Sequence, residues 1–320
     1  MHGLETNSGP FDDILYSKDD GVATVTINRP KAYNSYSTHT LREMTDAFRD
    51  AAWDDSIGVV VLTGAGDRAF CTGGDVKEYA DRYVKRPRDY WKYMGVFAEC
   101  HDLLRDIGKP TIARLNGIVA GGGNEFNMAC DLAVAADHAA IQQVGTRVGS
   151  VACGGATQWL PLLVGDRRAR EILFLCEPIS ATQALEWGLV NKVVPAADLD
   201  HAVREMADRL KDKFPECTRY TKTQVNYWKD LAWDATIGHG RDWLSLHFAS
   251  AEPYEGMTAF VEKRQPRWRA WRERAARGEP TESVWGPPVR TCPGCGTKGM
   301  PETFAFCGNC GKRLDAETES

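Results

Sequence analysis

The feature that most constrains the fold is a run of three glycines, residues 121–123, between a short apolar stretch and a helix-compatible segment. The apolar stretch Thr111–Leu115 predicts a strand, and Glu125 stands at the start of the segment that follows. Consecutive glycines allow a sharp turn, and at a helix start their N–H groups have no intrahelical acceptor. Two interpretations fit this stretch about equally: a packing turn beside a surface carboxylate, or an oxyanion site with a proton-transfer group.

A second glycine site precedes this one and also follows apolar residues. Residues 59–63 are Val-Val-Val-Leu-Thr, which predicts a buried strand, and Thr72-Gly73-Gly74-Asp75 comes after Ala69-Phe70-Cys71. A hairpin is predicted within residues 14–27, and a helix is predicted from Ser37 or Thr38 to about Trp53. This alternation of strands and helices indicates an α/β fold.

Residues 79–97 place aromatic side chains between charged ones, and Pro87 interrupts the segment. The proline predicts two helical pieces joined by a loop. The segment fits either an amphipathic helix that covers the core or an aromatic lining for a flat or cyclic substrate. Its aromatic residues are Tyr79, Tyr83, Tyr90, Trp91, Tyr93 and Phe97.

The charge and the apolar runs of the chain limit its partners and its location. A net charge of −5 and a pI near 5.9 give no electrostatic basis for nucleic acid or an anionic membrane as a partner. The sequence has neither a spanning apolar run nor a signal-peptide pattern, which predicts a soluble cytoplasmic protein. Six isolated cysteines are predicted to be buried reduced thiols. They are Cys71, Cys100, Cys130, Cys153, Cys176 and Cys217.

Two Cys-x-x-Cys pairs near the C-terminus form the most specific motif in the sequence. Cys292 and Cys295 precede Cys307 and Cys310, with eleven residues between the pairs and a glycine after each pair. Two such knuckles supply the four thiolates of a closed tetrahedral site, which predicts a structural zinc ribbon. So small a segment cannot fold on a hydrophobic core, so the metal would stabilise it. Iron and a pair of disulfides remain the alternatives.

The chain is therefore predicted to have four parts. Residues 1–195 would form an α/β core and residues 196–277 a helical region, because the pattern after residue 198 is helical and polar. Residues 278–290 are rich in glycine and proline, which predicts a linker. Residues 291–320 would hold the zinc ribbon and a frayed tail.

Several motifs, in the same order along the chain, resemble those of the crotonase (enoyl-CoA hydratase/isomerase) superfamily. Residues 181–195 fit its A-x-x-A-x-x-x-G-L-V-x-x-V-V-P pattern. The resemblance extends from about Ile14 to Trp268, which is about four fifths of the chain. The other matching stretches are residues 27–30, 69–75, 117–131 and 254–264.

This resemblance implies a spiral of ββα turns, C-terminal helices that form a trimer or a dimer of trimers, and a coenzyme A thioester substrate. It implies no organic cofactor beyond the coenzyme A of the substrate. The two backbone N–H groups that polarise the thioester carbonyl in the family fall here on Gly74 and Gly122, beside Gly73 and Gly121. The residues expected along the CoA moiety are Lys31, Ala32, Thr72 and Asp75.

Glu125 matches the first of two glutamates that hydratases of this superfamily use. The second glutamate would close a Gln-Pro-Glu sequence, but here Gln143-Val144-Gly145 places glycine at that position. The pair needed for a simple syn addition of water is therefore incomplete. The candidates for another acid are Asp75, Ser150 and the hydroxyl groups of Tyr79 and Tyr83, and the sequence favours none of them.

Glycine at position 145 and the loop at residues 149–157 are similar to ring-opening 6-oxocyclohex-1-ene-1-carbonyl-CoA hydrolases of the superfamily. This similarity implies a cyclic or bulky unsaturated or oxo acyl-CoA, with Glu125 activating water or moving a proton. The outcome would be hydration, with or without hydrolytic cleavage of a ring carbon–carbon bond. Tyr79, Tyr83, Gly145 and Ser150 would lie near the acyl group.

Two other functions remain compatible with the sequence. One is a conventional enoyl-CoA hydratase or isomerase whose second acid comes from elsewhere in the chain. The other is a non-catalytic CoA-binding scaffold that recruits a protein partner through the zinc ribbon. Retention of Glu125 and of both glycine sites favours catalysis over the scaffold, and the ribbon is a candidate partner-binding module in every case.

Overall fold

The computed structural model describes residues 10–278, 281, 289–301 and 303–314. The predicted frayed tail and most of the predicted linker therefore lie outside the described residues. The strands are β1 (Ile14–Asp19), β2 (Val22–Ile27), β3 (Val59–Gly64), β4 (Ala69–Cys71), β5 (Thr111–Leu115), β6 (Ile118–Ala120), β7 (Leu132–Ala136), β8 (Ala140–Gln142), β9 (Ile179–Ser180), β10 (Lys192–Val194), β11 (Val289–Arg290) and β12 (Met300–Pro301).

The α-helices alternate with these strands in the first half of the chain and follow one another in the second half. They are α1 (Thr38–Trp53), α2 (Val76–Glu78), α3 (Pro87–Arg105), α4 (Gly122–Ala129), α5 (Ala156–Val164), α6 (Asp166–Leu175), α7 (Ala181–Glu186), α8 (Leu199–Lys211), α9 (Pro215–Asp234), α10 (Ile237–His247), α11 (Ala251–Val261) and α12 (Trp268–Ala276).

Two sheets are built side by side from successive strands. The larger sheet has the order β1-β2-β3-β5-β7-β10, and only its β1–β2 pair is antiparallel. The smaller sheet has the order β4-β6-β8-β9, with β4, β6 and β8 parallel. The pairs β3–β4, β5–β6 and β7–β8 each give one strand to each sheet and are followed by a helix. This repeat confirms the expected α/β spiral of ββα turns.

The larger sheet is covered on both faces, which explains its continuous apolar strands. Val60 and Leu62 of β3 belong to the main core with α1, whereas Val59 and Val61 face a second apolar cluster. Helix α8 supplies Leu199 and its apolar neighbours to that second cluster. All six residues of β3 are buried, as its sequence predicts.

Helix α1 begins where the sequence predicts, because Ser37 caps it. The Ser37 side chain accepts the N–H of Thr40 at 3.2 Å, and the Thr40 hydroxyl accepts the N–H of Ser37 at 3.0 Å. This reciprocal capping box satisfies two N–H groups at the helix start. The two helical pieces expected around Pro87 are also confirmed, since a π-helical turn at Tyr79–Tyr83 follows α2 and the proline opens α3.

The chain from α8 to α12 is almost entirely helical, in agreement with the sequence pattern. The proposed domain boundaries at residues 195, 277 and 290 stay predictions. Among the described residues, the helices are too short or too polar to cross a membrane. One prediction about the cysteines is wrong: Cys217 is exposed on α9, whereas the other five isolated thiols are buried.

Candidate active site

The smaller sheet brings the two glycine sites together. Strands β4 and β6 are parallel neighbours, so the loops after their carboxyl ends lie side by side. Gly73 has φ of +90° and Gly121 has φ of +53°, both in the region that favours glycine. A Cβ on Gly73 would lie 2.9 Å from the nitrogen of Gly122. The close approach of the two loops therefore requires glycine.

Two backbone N–H groups face the space between these loops. The Tyr36 N–H donates to the Gly73 carbonyl at 2.9 Å, and the Asp75 N–H donates to the Tyr36 carbonyl at 2.9 Å. The Gly74 N–H takes no part in this pairing. Gly122 is the first residue of α4, so its N–H has no acceptor within the helix. Within the described part of the chain neither N–H has a hydrogen-bond acceptor. Their arrangement suits an oxyanion.

A cavity of about 870 Å³ opens beside these N–H groups, and Glu125 forms part of its wall. Only two carboxylates line it among the described residues, Glu125 and Asp75. Asp75 is committed elsewhere, because it pairs with Arg29 at 2.9 Å and accepts the N–H of Lys77 at 3.0 Å. Glu125 is therefore the carboxylate that is free to react with a bound molecule.

The surroundings of Glu125 suit proton transfer near neutral pH. Its side chain is buried, and the Ala156 N–H donates to Oε1 at 3.2 Å, with a further backbone hydrogen bond from Gly154. Burial raises the pKa of Glu125 to about 7, and the two backbone donors oppose that rise. A carboxyl group with this pKa is present in both protonation states at neutral pH, so it can take a proton and return it.

The raised pKa makes the stability of the protein depend on pH. The unfolded chain releases the Glu125 proton near the ordinary value of 4.5, whereas the folded protein holds it until about pH 7. The folded state therefore binds more protons between these values, and the free energy of unfolding falls as the pH rises through them. Between about pH 4 and about pH 8, we expect the free energy of unfolding of the wild type to fall by roughly 3 kcal/mol relative to that of Glu125→Gln. Urea denaturation of both proteins across this range measures the difference, and parallel curves would contradict the assigned pKa.

The position of the expected second carboxylate is occupied by Gly145, the first residue of a 3-10 turn. A Cβ on Gly145 would lie 3.1 Å from the Ser150 carbonyl oxygen and 3.2 Å from the Ala152 nitrogen. The following loop thus packs against the backbone where a side chain would begin. Among the described residues only Glu125 and Asp75 bring carboxylates to the cavity, so the position of Gly145 adds none.

Most residues that the sequence singled out line this cavity, but Tyr83 does not. The Tyr83 hydroxyl instead lies 2.5 Å from Oγ1 of Thr38 and faces the start of α1. The π-helical turn directs Tyr79 inward and Tyr83 away from the cavity. The expected residues that line it are Lys31, Ala32, Thr72, Gly73, Gly74, Asp75, Tyr79, Gly121, Gly122, Glu125, Gly145 and Ser150.

Tyr36 and Gln143 are among the cavity residues that were missed at the sequence level. Tyr36 is almost fully buried and reaches the cavity through its backbone pairing with Gly74, a contact that nothing in the local sequence indicates. Gln143 is fully buried, and its Nε2 donates to the Gly121 carbonyl at 3.3 Å. Gln143 directly follows β8 and lies two residues before Gly145, and this position could have indicated that it lines the cavity.

The four C-terminal cysteines form a separate cluster with all four Sγ atoms within 4.8 Å of one another. The Sγ atoms of Cys292 and Cys310 are 3.6 Å apart, and those of Cys295 and Cys307 are 3.7 Å apart. A tetrahedral ion with zinc–sulfur bonds of about 2.3 Å separates its sulfurs by about 3.8 Å. The arrangement of the thiols therefore fits a tetrahedral metal ion.

The backbone of the two knuckles repeats the same hydrogen bonds. The Cys292 N–H donates to the Thr297 carbonyl, and the Cys307 N–H donates to the Lys312 carbonyl, both at 2.8 Å. The glycines after the pairs have φ of +72° at Gly296 and +71° at Gly311. The backbone of each knuckle therefore turns beneath its two cysteine sulfurs with the same geometry, as the Cys-x-x-Cys-Gly spacing predicts.

Comparisons with known proteins agree with this fold. The family model described as enoyl-CoA hydratase/isomerase matches residues 17–271. The enoyl-CoA hydratase from Mycobacterium avium subsp. paratuberculosis K-10 is 29% identical, with a TM-score of 0.73 over 80% of this chain and 98% of that one. The enoyl-CoA hydratase from Bacillus anthracis is 31% identical, with a TM-score of 0.65 over 80% of this chain and 98% of that one. An enoyl-CoA hydratase/isomerase from Xanthobacter autotrophicus Py2 is 26% identical, with a TM-score of 0.71 over 84% of this chain and 94% of that one.

The spiral of ββα turns and the match to the family model define an enzyme of the crotonase type. The chain belongs to the enoyl-CoA hydratase/isomerase family. The first glutamate expected for this family is buried in the cavity, and glycine stands in place of the second.

Proposed function

We propose that the protein adds water to a bulky or cyclic α,β-unsaturated acyl-CoA and that Glu125 alone moves the protons. The observation that carries this proposal is Glu125, the one carboxylate of the cavity without an ion pair among the described residues, next to two N–H groups that have no acceptor there. The thioester oxygen would bind at Gly74 and Gly122, since donors placed there stabilise the charge that develops during reaction. Binding it there leaves Glu125 as the acid–base group.

One carboxylate is sufficient for the complete addition. Ionised Glu125 takes a proton from water while the water oxygen bonds to the β-carbon. The electron pair of the double bond moves toward the carbonyl, which gives an enolate with its charge on the thioester oxygen. Glu125 then gives the proton to the α-carbon, so the carboxylate is regenerated and one water has been added.

The walls of the cavity favour a bulky acyl group. Tyr90, Tyr93, Met94 and Phe97 of α3 line it, and Leu244 and Met257 from the C-terminal helices add further apolar surface. A short linear acyl chain would leave much of this surface uncovered, whereas a ring would contact it.

A comparison of two substrates tests this specificity. The loss of the enoyl-thioester absorbance would be followed with crotonyl-CoA and with cyclohex-1-ene-1-carbonyl-CoA. We expect kcat/KM to be at least about tenfold higher for the cyclic substrate, as one or two well-placed methylene groups already give this discrimination. Preference for crotonyl-CoA would support a conventional hydratase and contradict the bulky-substrate proposal.

Hydrolytic cleavage of a ring carbon–carbon bond is a second candidate. It would begin with addition of water to a ring ketone, and the broken bond would leave its electron pair as the same thioester enolate. The Tyr90 side chain favours this candidate, because it lines the cavity and its hydroxyl makes no hydrogen bond in the described part of the chain. A second substrate oxygen would satisfy that hydroxyl. Product analysis by mass spectrometry with 6-oxocyclohex-1-ene-1-carbonyl-CoA distinguishes simple hydration from a second water uptake with ring opening.

Residues at the mouth of the cavity are proposed to contact the CoA moiety. Lys31, Ala32 and Thr72 lie there, and Asp75 fixes the Arg29 guanidinium beside them. The cationic side chains at this edge suit the phosphates of the nucleotide.

A trimer, or a dimer of trimers, is proposed from the exposed face of α9. Tyr220, Tyr227, Trp228 and Leu231 recur at helical spacing and are each more than half exposed. A continuous apolar stripe of this kind usually marks a protein interface. Sedimentation equilibrium should give a mass of three or six chains of 35.5 kDa. Trp228→Glu should release smaller species, and a monomeric wild type would contradict the proposal.

The cysteine cluster is proposed to hold one structural zinc ion and to fold the ribbon around it. Elemental analysis after dialysis should give about one zinc per chain, and Cys307→Ser should lower the zinc content and expose the ribbon to proteolysis. Cys217→Ser is the matched control, because that thiol is exposed and lies outside the cluster. Bound iron, or cysteines that resist thiol titration because they form disulfides, would contradict this assignment. The ribbon remains a candidate site for a protein partner.

A further inference from the structure

Two tyrosine hydroxyls lie directly against the two glycines of the oxyanion site. The Tyr79 oxygen is 1.7 Å from the position that a Cβ on Gly74 would take, and the Tyr36 oxygen is 1.8 Å from the corresponding position on Gly122. Each hydroxyl therefore contacts one of the two residues whose N–H groups face the cavity. The two tyrosines come from different elements, one before α1 and one after α2.

The Tyr36 hydroxyl has no hydrogen-bond partner within the described chain, although only 2% of the Tyr36 surface is exposed. Tyr36 belongs to the main core and also lines the cavity. Its hydroxyl is therefore available to pair with a polar atom of a bound molecule near Gly122.

The Tyr79 hydroxyl is held in place by its neighbours. It lies 2.5 Å from the Tyr93 hydroxyl, and the two rings pack edge to face with centroids 5.2 Å apart. The Phe248 ring packs against Tyr79 from another side, with centroids 6.0 Å apart. When the Tyr93 hydroxyl donates to Tyr79, the Tyr79 hydrogen is free to point at a substrate.

Both hydroxyls keep their protons throughout the physiological range. Burial raises the pKa of Tyr36 and of Tyr79 well above the ordinary value, and the nearby Glu125 carboxylate raises both further. They are therefore neutral donors even when Glu125 is ionised. Phenol groups in an apolar pocket are strong hydrogen-bond donors to a developing oxyanion.

We propose that Tyr36 and Tyr79 are catalytic residues that donate hydrogen bonds to the thioester oxygen alongside the N–H groups of Gly74 and Gly122. Tyr93 is a positioning residue that orients Tyr79. No proton leaves either hydroxyl; both stabilise the enolate oxygen. The inference rests on the proposed function and deepens it, because four donors stabilise an enolate long enough for one carboxylate to serve first as base and then as acid.

The absorption spectrum of bound trans-cinnamoyl-CoA tests this inference without turnover, in a Glu125→Gln background. The conjugated band of this aryl enoyl thioester moves to longer wavelength when its carbonyl is polarised. We expect a clear red shift in the background protein and less than half of it after adding Tyr79→Phe or Tyr36→Phe, with the dissociation constant changed by less than about threefold. Tyr16→Phe is the matched control, because its hydroxyl bonds Asp50 at 2.7 Å outside the cavity. Tyr93→Phe should give an intermediate shift.

Kinetics on the cyclic substrate supply the second readout. Tyr79→Phe and Tyr36→Phe should each lower kcat by about 10²-fold, the usual effect of removing one oxyanion donor, with little change in KM. An unchanged red shift or an unchanged kcat in both variants would overturn the inference and leave the role of Glu125 standing. A probe that fails to bind, or that binds without any red shift, would contradict the proposed acyl-CoA function and with it this inference.

Discussion

Glu125→Gln is expected to lower kcat by about two to four orders of magnitude, the range for loss of an acid–base group. The amide keeps the size of the side chain and can still accept the Ala156 N–H bond, which is 3.2 Å long in the wild-type protein. It cannot take a proton from water, and Asp75 cannot replace it because Asp75 is paired with Arg29. The loss should therefore appear in kcat, with KM changed only a few-fold.

Single-turnover kinetics on the cyclic enoyl-CoA measure this loss, with circular dichroism to confirm that the variant is folded. Glu99→Gln is the matched control: it is the same substitution on an exposed position of α3, where the carboxylate pairs with Arg49 at 3.1 Å. It should keep activity within about twofold, as expected for a surface ion pair. A Glu125→Gln enzyme that retains activity within a few-fold of wild type would show that another group moves the protons.

Gly122→Ala and Gly74→Ala are expected to lower kcat by about 10²–10³-fold each, the cost of disabling one oxyanion donor. Neither glycine has a positive φ, so alanine is allowed by the backbone. The new methyl group would instead meet the Tyr36 oxygen at 1.8 Å or the Tyr79 oxygen at 1.7 Å. The ring carbon that bears each hydroxyl also lies within 3 Å of the new methyl group, so the tyrosine ring must shift and the oxygen site would be blocked.

Substitutions at two other glycines distinguish loss of the oxyanion site from loss of the fold. A Cβ on Gly123 would lie 2.0 Å from the Cys71 carbonyl oxygen, a backbone atom that cannot move alone, so Gly123→Ala should lower Tm strongly. A Cβ on Gly238 meets nothing within 4 Å on α10, so Gly238→Ala should keep full activity and stabilise the helix by up to about 1 kcal/mol. If Gly74→Ala and Gly122→Ala keep wild-type kcat, the oxyanion site is elsewhere.

The sequence predicts best those features that depend on local pattern and burial. The strand at residues 59–63 is recognisable because a strand covered on both faces needs apolar residues at every position. The start of α1 is recognisable because Ser37 and Thr40 satisfy each other's backbone within one turn. The spacing of the C-terminal cysteines predicts their cluster for the same reason, since each knuckle closes on itself within five residues.

The parts that the sequence does not reveal depend on contacts between distant segments. Tyr36 reaches the cavity only because a single parallel bridge joins it to Gly74, 38 residues later. The pKa of Glu125 depends on burial beneath the loop at Gly154 and Ala156, which packs over it from about 30 residues further along. Tyr83 was expected near the acyl group as part of the aromatic segment at residues 79–97, but the π-helical turn directs it toward Thr38.

The central claim is that Glu125 is the one carboxylate that moves protons in this site, and the pH dependence of kcat/KM tests it most directly. As the base that activates water, Glu125 must be ionised, so kcat/KM should fall tenfold per pH unit below an apparent pKa near 7. A profile that stays flat down to about pH 5, or that bends only near the ordinary carboxyl value of 4.5, would contradict the claim.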